Sequence, residues 1–334
     1  MAGTAAFLRT PAPTALARIW VLGIWLSGVW LLWAAPAQAD PLPMFEVAPG
    51  VFVHAGRHEE TDPGNVGDIA NCGFIVGDDA VAVIDTGGSP MIGRRLREAI
   101  RLRTDRPIRY VINTHMHPDH ILGNAAFLPD QPDFVAHHNF QAALMARSRH
   151  YRQAFEASIG PEAAEEVQFL PPTVAVSDRL DLDLGGRVLE LVANPVAHTD
   201  NDLTVLDRRT ATLWTGDLLF MDRAPAIDGS VLGWLRLLDT MVAESAVAES
   251  AVAEPVARVV PGHGPPSAPW PDAAADLRRY LNRIVGGVRA VQAAHGTIQQ
   301  AVDTVASDEA PHWRLFDGYN PRNVTAAFAE LEWE

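Results

Sequence analysis

His115-Met116-His117-Pro118-Asp119-His120 is the stretch on which the reading of this chain turns. Three imidazoles and a carboxylate stand there within six residues, after the apolar run Tyr110-Val111-Ile112 and before Gly123-Asn124. Histidine and aspartate are poor formers of regular structure, and ionisable groups are costly to bury unless paired or bound to metal. Packing therefore does not account for the cluster. Residues two apart in an extended segment share a face, so a turn leaving a strand end points His115 and His117 the same way. Asp119 and His120 then face a neighbouring point once the chain curls into a helix. The result is a cradle for one divalent metal, or for two close together.

Outward from this turn the pattern alternates strands with helices. Upstream, residues 44–55 read as a hairpin around Pro49-Gly50, and the runs 72–76 and 80–84 as a second one across Gly77-Asp78-Asp79. Asp85-Thr86-Gly87-Gly88 follows, and the spacing of Ile92, Leu96 and Ile100 predicts a helix over 90–103. Residues 108–112 are the strand that runs into the histidines, and the polar segment 57–68 reads as a loop at a cleft mouth. Downstream, 133–136 reads as a strand, 140–159 as a helix, and 173–193 as strands turning at Gly185-Gly186. A polar loop over 195–202 precedes a hairpin, 203–206 with 212–214, that ends at Gly216-Asp217. A helix is expected over 231–253, carrying Val-Ala-Glu-Ser-Ala at 242–246 and again at 247–251; that period fits neither a helix face nor a heptad. Residues 256–260 form a strand ending at Pro261-Gly262-His263-Gly264. Leu277, Leu281, Ile284, Val288 and Val291 make an amphipathic helix over 272–291. Asn323 is placed as the cap of a last helix with Val324, Ala327, Phe328 and Leu331 on one stripe. This order implies sheets flanked by helices in a single α/β-type domain. No glycine loop with phosphate-binding spacing occurs.

Composition narrows the function. The 334 residues are 48% hydrophobic and 20% charged, as in an ordinary globular chain. The formal net charge is -15, and all 26 basic residues are arginines. Such an acidic chain is a poor partner for nucleic acid or an anionic membrane surface. Cys72 stands alone, which rules out an internal disulfide and reads as a buried, inert thiol. The first 39 residues have the layout of a signal peptide. Arg9 and Arg18 precede an uncharged run from Ile19 to Trp33, and Ala37-Gln38-Ala39 is an A-x-A cleavage site before Asp40. The run is shorter than a bilayer span, which favours cleavage over anchoring. The mature domain, residues 40–334, is then expected in the periplasm, with no membrane association after cleavage.

Three further residues share the character of the first motif. His198, Asp217 and His263 each follow an apolar run, with glycine or proline beside the last two. Strand ends of one sheet cluster along one edge, where loops carry function. With His115, His117, Asp119 and His120 they make seven candidate ligands, the number that two metals sharing a carboxylate and a water would use. His54, His58, His137, His138, His150, His295 and His312 lack this context and read as surface or capping residues.

The run from Asn113 to Asn124, Asn-Thr-His-Met-His-Pro-Asp-His-Ile-Leu-Gly-Asn, resembles the signature of the metallo-β-lactamase superfamily. Asp85-Thr86-Gly87, Ala197-His198-Thr199, Thr215-Gly216-Asp217 and Pro261-Gly262-His263-Gly264 match its other motifs in order, over about residues 44–263. The resemblance implies an α/β (α+β) fold, a four-layer αββα sandwich of two mixed β-sheets flanked by helices. It also implies a dinuclear centre at one edge, most often two zinc ions (Zn2+), with iron or manganese as the other metals. His115, His117 and His198 would hold the first metal and Asp119, His120 and His263 the second. Asp217 would bridge them, and Asp85 would orient a ligand or the loop beneath it.

The resemblance also carries expectations about chemistry. Many β-lactamases of the superfamily place cysteine or serine where this chain has Asp217, which argues against antibiotic hydrolysis. Asp217 is similar instead to glyoxalase II and lactonase-like members. Those follow the third-motif histidine with Thr-Pro-Gly, whereas here it is His198-Thr199-Asp200-Asn201-Asp202. Residues 215–234 and 323–334 are similar to exported zinc metallohydrolases encoded beside quinoprotein alcohol dehydrogenases and related to the hydrolase of sulfur-oxidation clusters. A functional link to a quinoprotein dehydrogenase is the partner this implies. The expected activity is hydrolysis of a small-molecule ester, thioester, lactone or related acyl bond by a metal-bridged hydroxide. Asp119 would bind the second metal and orient the nucleophile. An iron-dependent oxidoreductase of persulfide dioxygenase type is one alternative, disfavoured because all seven ligand positions are filled. A non-enzymatic accessory protein of a quinoprotein system is the other.

Overall fold

Residues 72–76 and 81–84 are buried on both faces, which is why they read as unbroken apolar runs and not as alternating ones. A strand buried on both sides needs a layer against each. The computed structural model, which describes residues 40–247 and 256–333, supplies those layers. The signal-peptide assignment to residues 1–39 and the repeat beyond residue 247 lie outside the described residues.

The first sheet begins with β1 (Phe45–Ala48), β2 (Val51–His54), β3 (Cys72–Val76) and β4 (Val81–Ile84), all antiparallel neighbours. After α1 (Pro90–Arg101) come β5 (Ile108–Ile112), α2 (Pro118–Ile121), β6 (Asp133–His137), α3 (Phe140–Ile159), α4 (Pro161–Glu165) and β7 (Val174–Val176). Strands β4 to β7 run parallel, and the seven strands lie in chain order. The second sheet holds β8 (Arg179–Asp183), β9 (Val188–Ala193), β10 (Leu203–Asp207) and β11 (Thr212–Phe220). Helix α5 (Val231–Val247) then leads to β12 (Arg258–His263) and β13 (Ala268–Pro269). Its order is β13-β12-β11-β10-β9-β8, parallel only between β11 and β12. Helices α6 (Ala275–Ala293), α7 (Ile298–Thr304) and α8 (Phe316–Leu331) complete the chain.

The sheets meet face to face. Val51, Val53, Ile75, Ile84, Ile112 and Val135 pack against Leu189, Leu191, Val205, Trp214 and Val260. On the outside of the first sheet, Ile92, Leu96 and Ile100 of α1 cover Phe74, Val83 and Val111. Ser89 caps this helix by accepting from Ile92 N, and Pro90 opens it. On the other side, Leu277, Tyr280, Leu281, Ile284 and Val288 of α6 pack with Trp234 of α5 and Val324 of α8. The architecture is the expected αββα sandwich.

Several local expectations change. Asp217 and His263 lie inside β11 and β12, which continue past the glycine and proline that read as strand ends. Asn323 is not a cap: α8 starts at Phe316, and Asn323 is buried within it. Its Oδ1 accepts from Ile227 N at 3.0 Å, while Nδ2 donates to Pro225 O at 2.7 Å and Tyr280 Oη at 3.0 Å. It satisfies a neighbouring loop instead of its own helix end. His54 is buried, held between Pro43 O and Asp68 Oδ1, and His137 is buried where its Nδ1 accepts from Asn139 N at the start of α3. Cys72 is fully buried, and burial pushes its thiol well above the usual range. Among the described residues no helix is long and apolar enough to cross a membrane.

Candidate metal centre

Strand β5 delivers the chain to residues 113–117, and Pro118 opens α2 with His117 at its N-cap. The β9–β10 loop brings His198, β11 brings Asp217 and β12 brings His263. The cluster therefore draws on the edges of both sheets, not on the strand ends of one. All seven sequence candidates come together. His115, His117, His198 and Asp217 each offer an atom within 4.8 Å of the others, as do Asp119, His120 and His263. Asp217 stands between the two groups. Its Oδ2 is 3.4 Å from His198 Nε2, 3.7 Å from His115 Nε2 and 3.4 Å from His263 Nε2, while Oδ1 is 3.1 Å from His120 Nε2. Asp119 Oδ2 lies 3.3 Å from His263 Nε2.

The outward hydrogen bonds fix which nitrogen of each imidazole faces the centre. A carbonyl or carboxylate can only accept, so the ring nitrogen opposite it carries the proton. His198 Nδ1 donates to Ala226 O at 2.7 Å, His263 Nδ1 to Ile69 O at 2.8 Å and His120 Nδ1 to Asp85 Oδ2 at 2.8 Å. His117 Nε2 donates to Asp228 Oδ2 at 3.1 Å. Thr114 Oγ1 already donates to Asp85 Oδ2 at 2.7 Å, so it accepts from His115 Nδ1 at 3.0 Å. Five lone pairs are thereby turned inward, and two of them, His117 Nδ1 and His198 Nε2, face each other across 3.0 Å. His115 Nε2, His120 Nε2 and Asp217 Oδ1 are buried with no aligned hydrogen-bond partner. Converging lone pairs and carboxylates without a donor between them fit cations, and imidazole with carboxylate is the donor set of zinc, iron or manganese.

The electrostatics agree. Burial drives His115 well below the usual imidazole range and His198 down to about 4, so both are neutral donors at neutral pH. Burial opposes charge on Asp217, but His263, His120 and His115 outweigh it and hold the carboxyl well below its ordinary range. Asp119 is likewise resisted by burial and pulled down by His120 and His263. For His120, burial is overcome by Asp217, Asp85 and Asp119, which raise it well above the ordinary value, so its Nε2 lone pair is claimed by a positive charge, a proton or a metal. The cluster demands positive charge.

The supports come from segments remote in sequence, and not all of them were legible there. Asp85 adopts φ 53°, a conformation aspartate tolerates better than most residues, and its Oδ1 also accepts from Thr114 N at 2.8 Å. The departure after His198 forms a closed turn. Thr199 N and Oγ1 donate to Asp202 at 2.9 and 2.6 Å, and Asn201 Oδ1 accepts from Met116 N at 3.0 Å, which ties His198 to the first motif. Asp228, in the loop between β11 and α5, holds His117 and is itself held by Arg147 of α3 at 3.1 Å. Neither Asp228 nor Asn201 carries a motif of its own, so sequence reasoning missed both. Gly262 is required by close approach: a Cβ there would meet Asp217 Oδ1 at 2.0 Å. Gly262→Ala is expected to destabilise the fold by about 1–3 kcal/mol through overpacking, read as a drop in the thermal midpoint of the purified protein. An unchanged midpoint would show that Asp217 has room to move.

The family model of the metallo-beta-lactamase superfamily matches residues 65–263, the segment that carries every residue of this cluster. The chain belongs to the metallo-beta-lactamase superfamily. Within it, the chain is 24% identical over 154 residues to a linear primary-alkylsulfatase of Pseudomonas sp. (strain ATCC 19151), covering 38% of this chain and 29% of that protein. It is 28% identical over 186 residues to the alpha subunit of a 2,4-dinitroanisole O-demethylase of Nocardioides sp. (strain JS1661), covering 54% of this chain and 50% of that one. The structure of a stereoselective inverting sec-alkylsulfatase from Pseudomonas sp. superposes with TM-score 0.65 at 16% identity, over 86% of this chain and 50% of that one. The chain spans half or less of the length of each of these proteins, and the structural likeness speaks for the fold alone.

Proposed function

We propose that this chain is an exported, dinuclear metal-dependent hydrolase, with zinc as the metal. Its substrate is a small molecule containing an ester, thioester, lactone or related acyl bond. One observation carries the reading: five imidazoles, each with one nitrogen committed outward, turn their lone pairs onto a space that Asp217 divides in two. His115, His117 and His198 would hold one metal, Asp119, His120 and His263 the other, with Asp217 shared. Such metals, when bound, polarise a substrate oxygen and make water acidic at neutral pH.

The chain's own part is to orient and to exclude water. Asp85 locks His120 and, through Thr114, His115, so neither ring can rotate its lone pair away. Asp119 is the ligand candidate with a face on the adjoining cavity, and as an ionised carboxylate it can accept a hydrogen bond from the attacking water and so orient it. Trp234 and Phe220 flank His198, and Phe220 stacks on His263 with centroids 4.9 Å apart, which keeps that side dry. Asp228→Ala frees His117 and is expected to weaken metal retention at the first group by about 10–100-fold, measured by competition with a chromogenic chelator. Unaltered retention would mean that Asp228 does not orient the ring.

Elemental analysis of protein produced without added metal should find two zinc ions per chain. A single iron would favour the oxidoreductase reading. Screening esters, thioesters, lactones and β-lactams, with and without chelator, tests the activity. Turnover lost on chelation and restored by zinc supports the hydrolase, whereas inertness toward every class favours an accessory role beside a quinoprotein dehydrogenase. Export to the periplasm through residues 1–39 belongs to the same proposal, and N-terminal sequencing of the mature protein tests it.

A further inference from the structure

Beside Asp119 opens a cavity of about 180 Å³ whose wall includes Tyr151 and Phe155 of α3, Arg223 from the loop after β11 and Tyr319 of α8. Arg223 is 3% exposed, yet it makes no ion pair with any carboxylate among the described residues. Its Nη2 donates to Tyr319 Oη at 2.7 Å, and the guanidinium lies 5.2 Å from the centre of the Tyr319 ring. Nη1 is 3.1 Å from His263 Nδ1, but that nitrogen has given its proton to Ile69 O and has no lone pair to offer. Nε is buried with no partner. Asp119 and Asp217 act on the guanidinium only from beyond ion-pair distance, and both are shared among the imidazoles.

A buried cation with unused donors and no counter-ion is costly to keep. Two divalent metals nearby would make it more so. Tyr319 Oη accepts from Arg223 and donates to Glu60 Oε2 at 3.5 Å, a long bond open to exchange for an incoming anion. An unpartnered guanidinium Nε and a weakly engaged phenol thus meet at a small cavity that opens beside Asp119. Guanidinium with a phenol is the donor set of an oxyanion site. Tyr319 lies outside the segment the family model matches, so half of this arrangement comes from the C-terminal helices.

We propose that Arg223 and Tyr319 form an oxyanion-binding subsite, and that the substrate carries a carboxylate or sulfate group which docks there while its scissile bond lies at the metal centre. This rests on the hydrolase reading for what the subsite serves, though not for its ability to bind an anion. Arg223 and Tyr319 are positioning residues, and their signature is selectivity by charge.

The test titrates succinate and inorganic sulfate, separately, into the metal-loaded full chain by calorimetry. Wild type is expected to bind at least one of them, and the preferred anion tells carboxylate from sulfate. Arg223→Met should weaken that binding by about tenfold or more, and Tyr319→Phe by about threefold. Arg223→Lys should retain part of it. Absence of binding to wild type, or equal affinity in wild type and Arg223→Met, overturns the subsite. Should Arg223→Met fail to fold, as judged by circular dichroism, unchanged affinity in both Arg223→Lys and Tyr319→Phe overturns it instead. A second readout compares mono-para-nitrophenyl succinate with the neutral para-nitrophenyl butyrate. The ratio of anionic to neutral kcat/KM should exceed about tenfold in wild type and collapse in Arg223→Met. Hydrolysis with no charge preference sinks the subsite and leaves the hydrolase reading standing. Arg223-dependent anion binding without any hydrolysis does the reverse.

Discussion

Asp217→Ala is expected to cost the protein both metals and its turnover together. Asp217 Oδ1 reaches toward His120 and Oδ2 toward His115, His198 and His263, so one carboxylate serves both halves of the centre. Its removal leaves the inward lone pairs of five imidazoles with one remaining carboxylate, Asp119, among them. Loss of an outer partner of a metal ligand typically costs about 10–100-fold in affinity or activity, and loss of a shared ligand should cost more than that. Elemental analysis of the purified variant alongside its turnover makes the measurement. The matching control is Asp119→Ala, which touches only the second group and should leave one metal bound. Full metal content and full turnover in Asp217→Ala would contradict the assignment of a shared ligand.

The second large effect is on stability. Arg187 is 2% exposed and Asp207 is fully buried, and they pair through Nε to Oδ1 at 3.0 Å and Nη2 to Oδ2 at 2.5 Å. The remaining Nη1 donates to Val76 O at 2.8 Å, so a residue before β9 fastens the second sheet to the C-terminal end of β3 in the first. Asp207 also accepts from Thr210 Oγ1 and Arg209 N. Arg187→Met leaves this buried carboxylate without its cation and is expected to cost about 3–5 kcal/mol, read from a shifted midpoint in denaturant unfolding. Replacing both partners, Arg187→Met with Asp207→Leu, should recover much of that loss, since removing a pair is milder than orphaning one member. A double variant no more stable than the single one would mean that the link to Val76, and not the charge pair, holds the sheets.

Those two positions differ in how far sequence reasoning reached them. Asp217 stands beside glycine after an apolar run and falls within a recognisable motif. Arg187 follows Gly185-Gly186 in what reads as an ordinary polar turn, and nothing nearby announces burial. Its partners Asp207 and Val76 are 20 and 111 residues away, too far for any local pattern to register. The same holds for Asp228 and Arg223. Asp228 holds an imidazole and Arg223 lines the cavity from a loop whose path is set by contacts such as Asn323 to Pro225 and Ile227, made by a helix near the end of the chain.

Periodicity alone determined most elements, because burial leaves a one-dimensional trace. The helix over 140–159 and the strands at 72–76 and 108–112 lie where apolar spacing put them. The seven clustered residues were also legible, because histidine and aspartate beside strands are too costly to place without a purpose. Asn323 failed for the opposite reason. A polar residue before an apolar stripe has the same spacing whether it caps its own helix or satisfies a distant loop. Only the tertiary structure decided which ring nitrogen faces inward, that both sheets contribute to the centre, and that a buried arginine stands beside it with no carboxylate partner among the described residues. These depend on hydrogen bonds and approach distances between segments remote in sequence, and such contacts exist only once the two sheets have closed on each other.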